Sequence, residues 1–153
     1  MNALTLVHNA IKAYVGEGGV CIDATAGRGY DTAFLCELVG KNGSVTAFDV
    51  QQDAIDSTKN LLESKGLCAR LVLDSHANMA NYFDEESVDC IVFNLGYLPK
   101  GDHSVYTHFE STKAAIEAGL KLLKRGGLMC VSVYYGGDSA PMGRLNYAYR
   151  MGY

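Results

Sequence analysis

At 153 residues, 48% apolar and 20% charged, the chain is long enough for one domain with a sizeable core. Its formal charge of −4 and pI near 5.5 argue against a broad non-specific nucleic-acid surface and leave room only for a local basic patch. No run of about 18 apolar residues offers a membrane span, and no basic segment followed by an apolar stretch opens the chain, so the expectation is a cytoplasmic protein without a membrane partner.

The five cysteines form no C-x-x-C pair and read as buried thiols of a reducing compartment, with no metal site expected. Residues 4–15 carry apolar side chains at helical spacing, and Gly16, Gly18 and Gly19 end that helix. His8 lies inside it and reads as a structural histidine rather than a ligand. Val20-Cys-Ile-Asp23 then reads as a buried parallel strand, broken by a turn containing Gly27 and Gly29 and followed by a helix from Thr32. Strand, glycine turn and helix present backbone N–H groups and a positive helix end to an anionic or polar ligand.

The dinucleotide fingerprint G-x-G-x-x-G requires a third glycine where Thr32 stands. Asp23, ahead of the glycines, would repel a pyrophosphate but can accept hydrogen bonds around a cationic amino acid. Asp31 and Thr32 add acceptors and a hydroxyl at the helix start. The combination suits S-adenosyl-L-methionine, whose methionine end carries an ammonium, a sulfonium and a carboxylate. A nicotinamide-dependent oxidoreductase is the disfavoured alternative.

Ser44–Val50 is the second strand, closed by Asp49, which follows Gly27 by 22 residues. That is near the spacing at which an acid accepts ribose hydroxyls, although a helix-capping or solvated Asp fits as well. An amphipathic helix over 53–65 precedes a third strand, 69–74. Ser75 and His76 follow it and could flank an adenine, or His76 could cap a short helix over 77–82. The nearly all-apolar strand 88–94 is covered on both faces. A helix over 109–124 ends at Gly126-Gly127, with Lys121, Lys124 and Arg125 complementing its dipole, and a fifth strand spans 128–135. Strands alternating with helices make an α/β, doubly wound, mostly parallel sheet.

The segment Asn94-Leu-Gly-Tyr97-Leu-Pro-Lys-Gly-Asp102-His103-Ser leaves the fourth strand at the ligand-binding edge. The Asn94 amide can accept a hydrogen bond from an amino group, and Tyr97 offers a flat face for a base or cation. Such positioning suits methylation of nitrogen, in which a lone pair must face the methyl carbon in line with sulfur. An aliphatic amine is mostly protonated at neutral pH, so Asp102 or His103 could take a proton. The alternative is that Asn94-Leu-Gly and Asp102-His103 form only a structural turn.

Asp23-Ala-Thr25-Ala-Gly-Arg-Gly-Tyr-Asp-Thr32, Phe48-Asp-Val-Gln51, the Asn94–Pro99 and Gly101–Ser104 blocks and Val133-Tyr-Tyr-Gly-Gly137 together resemble the small class I methyltransferases of the rRNA methylase family. This family includes enzymes that methylate the aminomethyl group of 5-aminomethyl-2-thiouridine at the tRNA wobble position. The resemblance implies a Rossmann-like fold and methyl-donor contacts at Gly27, Gly29, Asp31, Thr32, Asp49, Gln51, Ser75, His76 and Asn94. Asp23 and Thr25 complete the candidate cofactor set. The resemblance also implies that Tyr97, Asp102 and His103 face the acceptor beside Asn94, with an RNA, tRNA in the first place, as substrate. The alternatives are an rRNA methyltransferase or a cofactor-binding scaffold that has lost catalysis.

One departure from the family stands out. Residues 139–153 read as a short tail without a strand pattern after a methyltransferase domain over 1–138, so the sheet is expected to lack its last two strands. The fifth strand would then leave a bare apolar edge, to be covered by the tail or by a second copy of the chain.

Overall fold

The computed structural model describes residues 3–95, 104–135 and 143–150. In chain order the elements are α1 (Ala3–Tyr14), β1 (Val20–Asp23), α2 (Tyr30–Val39), β2 (Ser44–Asp49), α3 (Gln52–Ser64) and β3 (Arg70–Leu73). A 3-10 helix (His76–Asn81), β4 (Val88–Leu95), α4 (Ser104–Leu122), β5 (Leu123–Tyr135) and β6 (Gly143–Arg150) follow. The sheet has the order β3-β2-β1-β4-β5-β6. All pairs are parallel except the last, in which β6 runs antiparallel to β5. The doubly wound α/β expectation therefore holds. Among the described residues no helix is long and apolar enough to cross a membrane.

Covering on both faces explains why the central strands are almost wholly apolar. Successive side chains of a strand point to opposite faces, and each face has its own core. Cys21, Cys90, Val92, Leu128 and Cys130 pack with Val7, Ile11, Leu35, Val39 and Leu62 from α1, α2 and α3. Ile22, Phe48, Ile91, Phe93 and Met129 pack on the other side with Met79, Ala115 and Leu122. Four of the cysteines are buried in these layers as expected, but Cys68 is exposed.

Two readings from periodicity need correction. Gly126-Gly127 does not separate helix from strand: β5 already pairs at Leu123 with Val88, and the register shifts before Cys90 meets Leu128. Lys124 and Arg125 accordingly belong to β5, and Lys124 pairs with Asp89 at 3.3 Å instead of complementing a helix end. The tail also requires correction. Residues 143–150 form β6, paired with β5 from Leu128↔Arg150 to Tyr135↔Gly143. The chain itself covers the β5 edge, which removes the reason for invoking a second copy there.

Gly29 sets the angle at which β1 hands over to α2. Its φ of 90° lies in the left-handed region, and a Cβ there would stand 2.8 Å from the Thr58 Cα of α3. Both facts demand glycine. Gly29→Ala should therefore cost about 1–3 kcal/mol or more in urea unfolding, and an unchanged midpoint would contradict this account of the turn.

Candidate functional site

The sheet order reverses at β1: the chain proceeds from β1 toward β2 and β3 on one side and returns to β4 and β5 on the other. In open α/β sheets the crevice outside the carboxyl ends of the strands at such a point is where ligands bind. The loop after β1 is pinned to both neighbours. Ala26 N–H donates to the Phe48 carbonyl of β2 at 2.9 Å, and Ala24 N–H donates to the Val92 carbonyl of β4 at 2.8 Å. The Thr25 hydroxyl accepts the Asn94 backbone N–H at 2.7 Å. On the β2 side, the Asp49 carboxylate accepts the Gly27 N–H and the Gln51 N–H, each at 3.0 Å.

Asp23 and Thr32 lie beneath this loop. Both are fully buried. The Thr32 hydroxyl donates to one Asp23 oxygen at 2.6 Å, and the Thr25 N–H donates to the other at 3.1 Å. Burial, and then the neighbouring Asp31, push the Asp23 carboxyl up from 3.8 to about 7, while the bonds from Thr32 and Thr25 pull the other way and Asp49 adds a smaller push. Asp31, in the first turn of α2, accepts from His8 Nε2 at 3.0 Å on one oxygen and from Asn94 Nδ2 at 3.3 Å on the other.

At the tip of β3, Asp74 accepts from the Ser75 N–H, the Asn78 amide and the Tyr82 hydroxyl at 2.7–2.8 Å. The bonds from Asn78, Tyr82 and Ser75 hold its carboxyl below the ordinary value. Ser75 caps the 3-10 helix by accepting the Ala77 N–H. His76 Nδ1 lies 2.9 Å from the Ala24 carbonyl, and its ring tilts against Phe93. Val50 and Leu73, beside these acids at the tips of β2 and β3, are both more than half exposed.

The fold thus brings Thr25, Gly27, Asp31, Asp49, Gln51 and Asn94 to one rim, with Ser75 and His76 following β3 on the same edge. Asp23, Thr32 and Gly29 shape the loop from below. Tyr97, Asp102 and His103 lie outside the described residues. Sequence reading missed the part played by His8, which sits 23 positions before Asp31, and by Asp74. A depression lined by Tyr14, Glu17, Gly18, Asp89 and Lys124 lies at the opposite end of the sheet, where Asp89 accepts the Val20 N–H at 2.8 Å and so serves the start of β1.

The rim fits a nucleoside with a cationic amino-acid end. Asp49 uses two acceptor positions on backbone amides, and a carboxylate has about four. A Cβ at Gly27 would have nothing nearer than the Thr25 carbonyl at 3.8 Å, so the face of the loop is open. Asp31 and Asp49 border the open glycine loop, which suits positive charge and opposes a pyrophosphate.

Residues 45–143 match the family described as "Putative rRNA methylase". The chain belongs to this family. A chloroplastic tRNA (mnm(5)s(2)U34)-methyltransferase of Arabidopsis thaliana is 36% identical over 145 residues, which are 88% of this chain and 53% of that protein. The chain therefore spans about half the length of this curated relative. A crystal structure described as a putative rRNA-methylase from Clostridium thermocellum superposes with a TM-score of 0.81 at 46% identity, covering 91% of this chain and 75% of that one. A methyltransferase structure from Streptococcus mutans in complex with SAH gives 0.76 at 38% identity, over 90% and 76% of the two chains.

The raised Asp23 carboxyl has a consequence for stability. The folded protein keeps this proton up to about pH 7, whereas the unfolded chain releases it near 3.8. The resulting stabilisation is full below about pH 4 and is lost as pH rises toward about 7. In Asp23→Asn the amide can still accept the Thr25 N–H and can donate to the Thr32 hydroxyl, without the titration. The variant should gain on the wild type across that window by up to about 4 kcal/mol in denaturant unfolding. A pH-independent difference between the two would contradict the assignment.

Proposed function

We propose that the protein is an S-adenosyl-L-methionine-dependent N-methyltransferase acting on RNA, with the aminomethyl group of tRNA wobble 5-aminomethyl-2-thiouridine as acceptor. The carrying observation is the Asn94 amide, held by Asp31 at 3.3 Å beside the open glycine loop. The name of the Arabidopsis relative supports tRNA, and the bound SAH of the Streptococcus relative supports the donor.

In this reading Asp49 receives the ribose hydroxyls, and Val50 and Leu73 offer apolar contact to the base. Gly27 lets the backbone approach, with Gln51, Ser75 and His76 bordering the nucleoside. Asp31 attracts the ammonium group, while Asp23, Thr25 and Thr32 act by fixing the shape of the loop. The bound donor supplies a methyl carbon made electrophilic by its sulfonium, whose sulfur leaves with the bonding pair. Asn94 accepts an N–H bond from the amine and thereby turns the nitrogen lone pair toward that carbon. Holding the pair in line lowers the barrier without a covalent enzyme intermediate. The same reading assigns Tyr97 to contact with the acceptor base, and Asp102 or His103 to taking the proton that the amine must lose.

Purified protein incubated with the donor and tRNA bearing the aminomethyl nucleoside should convert it to the methylaminomethyl form, read by nucleoside mass spectrometry. Asn94→Ala should lower kcat on the order of a hundredfold. Transfer to small-subunit rRNA but not to tRNA would replace the acceptor, and donor binding without transfer to either would leave a scaffold.

A further inference from the structure

Asn94 can position an amine only if its oxygen, and not its nitrogen, faces the acceptor. The orientation of a side-chain amide is set by its partners. Asp31 provides that partner: a carboxylate accepting on both oxygens can face only the NH2 end of Asn94, which turns Oδ1 away from it. The other Asp31 oxygen is 3.0 Å from His8 Nε2, which must carry the hydrogen for the same reason.

His8 is itself held firmly. Its ring stacks on Phe34 of α2 at 3.7 Å between centroids and 3° between planes. Its side chain is 19% exposed and that of Asp31 is 10% exposed, so water competes little for the bond between them. The chain His8–Asp31–Asn94 therefore runs from α1 through the start of α2 to the tip of β4, joining three elements at the rim.

We propose that His8 is a positioning residue for methyl transfer: through Asp31 it fixes which way the Asn94 amide faces, and so presents the amide oxygen to the acceptor amine. This rests on the transferase reading above. Without the His8 bond, Asp31 lies near Asp23 with one oxygen unanchored, and its carboxyl can rotate away from Asn94. The contribution is geometric, and His8 need not touch substrate or donor.

Two variants separate the bond from the packing. His8→Phe keeps a ring against Phe34 and removes the N–H, whereas His8→Gln can place an N–H near the position of Nε2. In NMR spectra of the protein without cofactor, the Asn94 side-chain amide resonances should move in His8→Phe and return toward wild type in His8→Gln. With donor and tRNA, His8→Phe should lower kcat roughly tenfold, as expected for loss of one charge-assisted hydrogen bond, and His8→Gln should recover most of it. Unmoved Asn94 resonances in a folded His8→Phe protein would overturn the proposal, as would a His8→Gln variant as impaired as His8→Phe. A wild-type protein that transfers no methyl group but shows the amide response would overturn the transferase reading alone and leave the hold of His8 on Asn94 standing.

Discussion

The structure depends on how the loop after β1 is clamped between two strands that the chain reaches by opposite routes. A parallel sheet leaves its strand ends without a lateral partner once the ladder stops, and here side chains continue it. Asp49 bonds the loop to β2 through the Gly27 N–H, and Thr25 bonds it to β4 through the Asn94 N–H. Neither anchor is local in sequence. Each closes a parallel crossover, so the rim is assembled only when the whole sheet is.

Electrostatics then selects the ligand. Three carboxylates around one glycine turn would be unfavourable if all were charged without compensation, and the protein answers in three ways. Asp23 is buried and keeps a proton to about pH 7. Asp31 receives hydrogen bonds from His8 and Asn94, one on each oxygen. Asp49 remains partly exposed and bonded to backbone amides. The remaining negative field favours a cationic methionine end over a phosphate, which separates this turn from the dinucleotide-binding turn it resembles in outline.

Most of the architecture is legible from periodicity, because buried parallel strands are continuous apolar runs and the helices between them are amphipathic. Asp49 is legible from its distance to the glycines. What escapes is of two kinds. The pairing of Asp23 with Thr32 and the link from His8 to Asp31 arise from burial and from long-range packing, and no local pattern announces them. The last strand is different: Leu145, Tyr147 and Tyr149 alternate with Arg144, Asn146, Ala148 and Arg150, a period-2 signal available in the sequence itself. Such alternation is the usual pattern of an antiparallel strand, and β6 pairs antiparallel with β5.

The account turns on where a nucleoside donor lies, and a crystal structure of the protein with S-adenosylhomocysteine tests it most directly. The ribose hydroxyls should meet the Asp49 carboxylate, the base should lie by Val50 and Leu73, and the sulfur should face the Asn94 amide oxygen. A ribose bound away from Asp49, or a sulfur turned from Asn94, would contradict it.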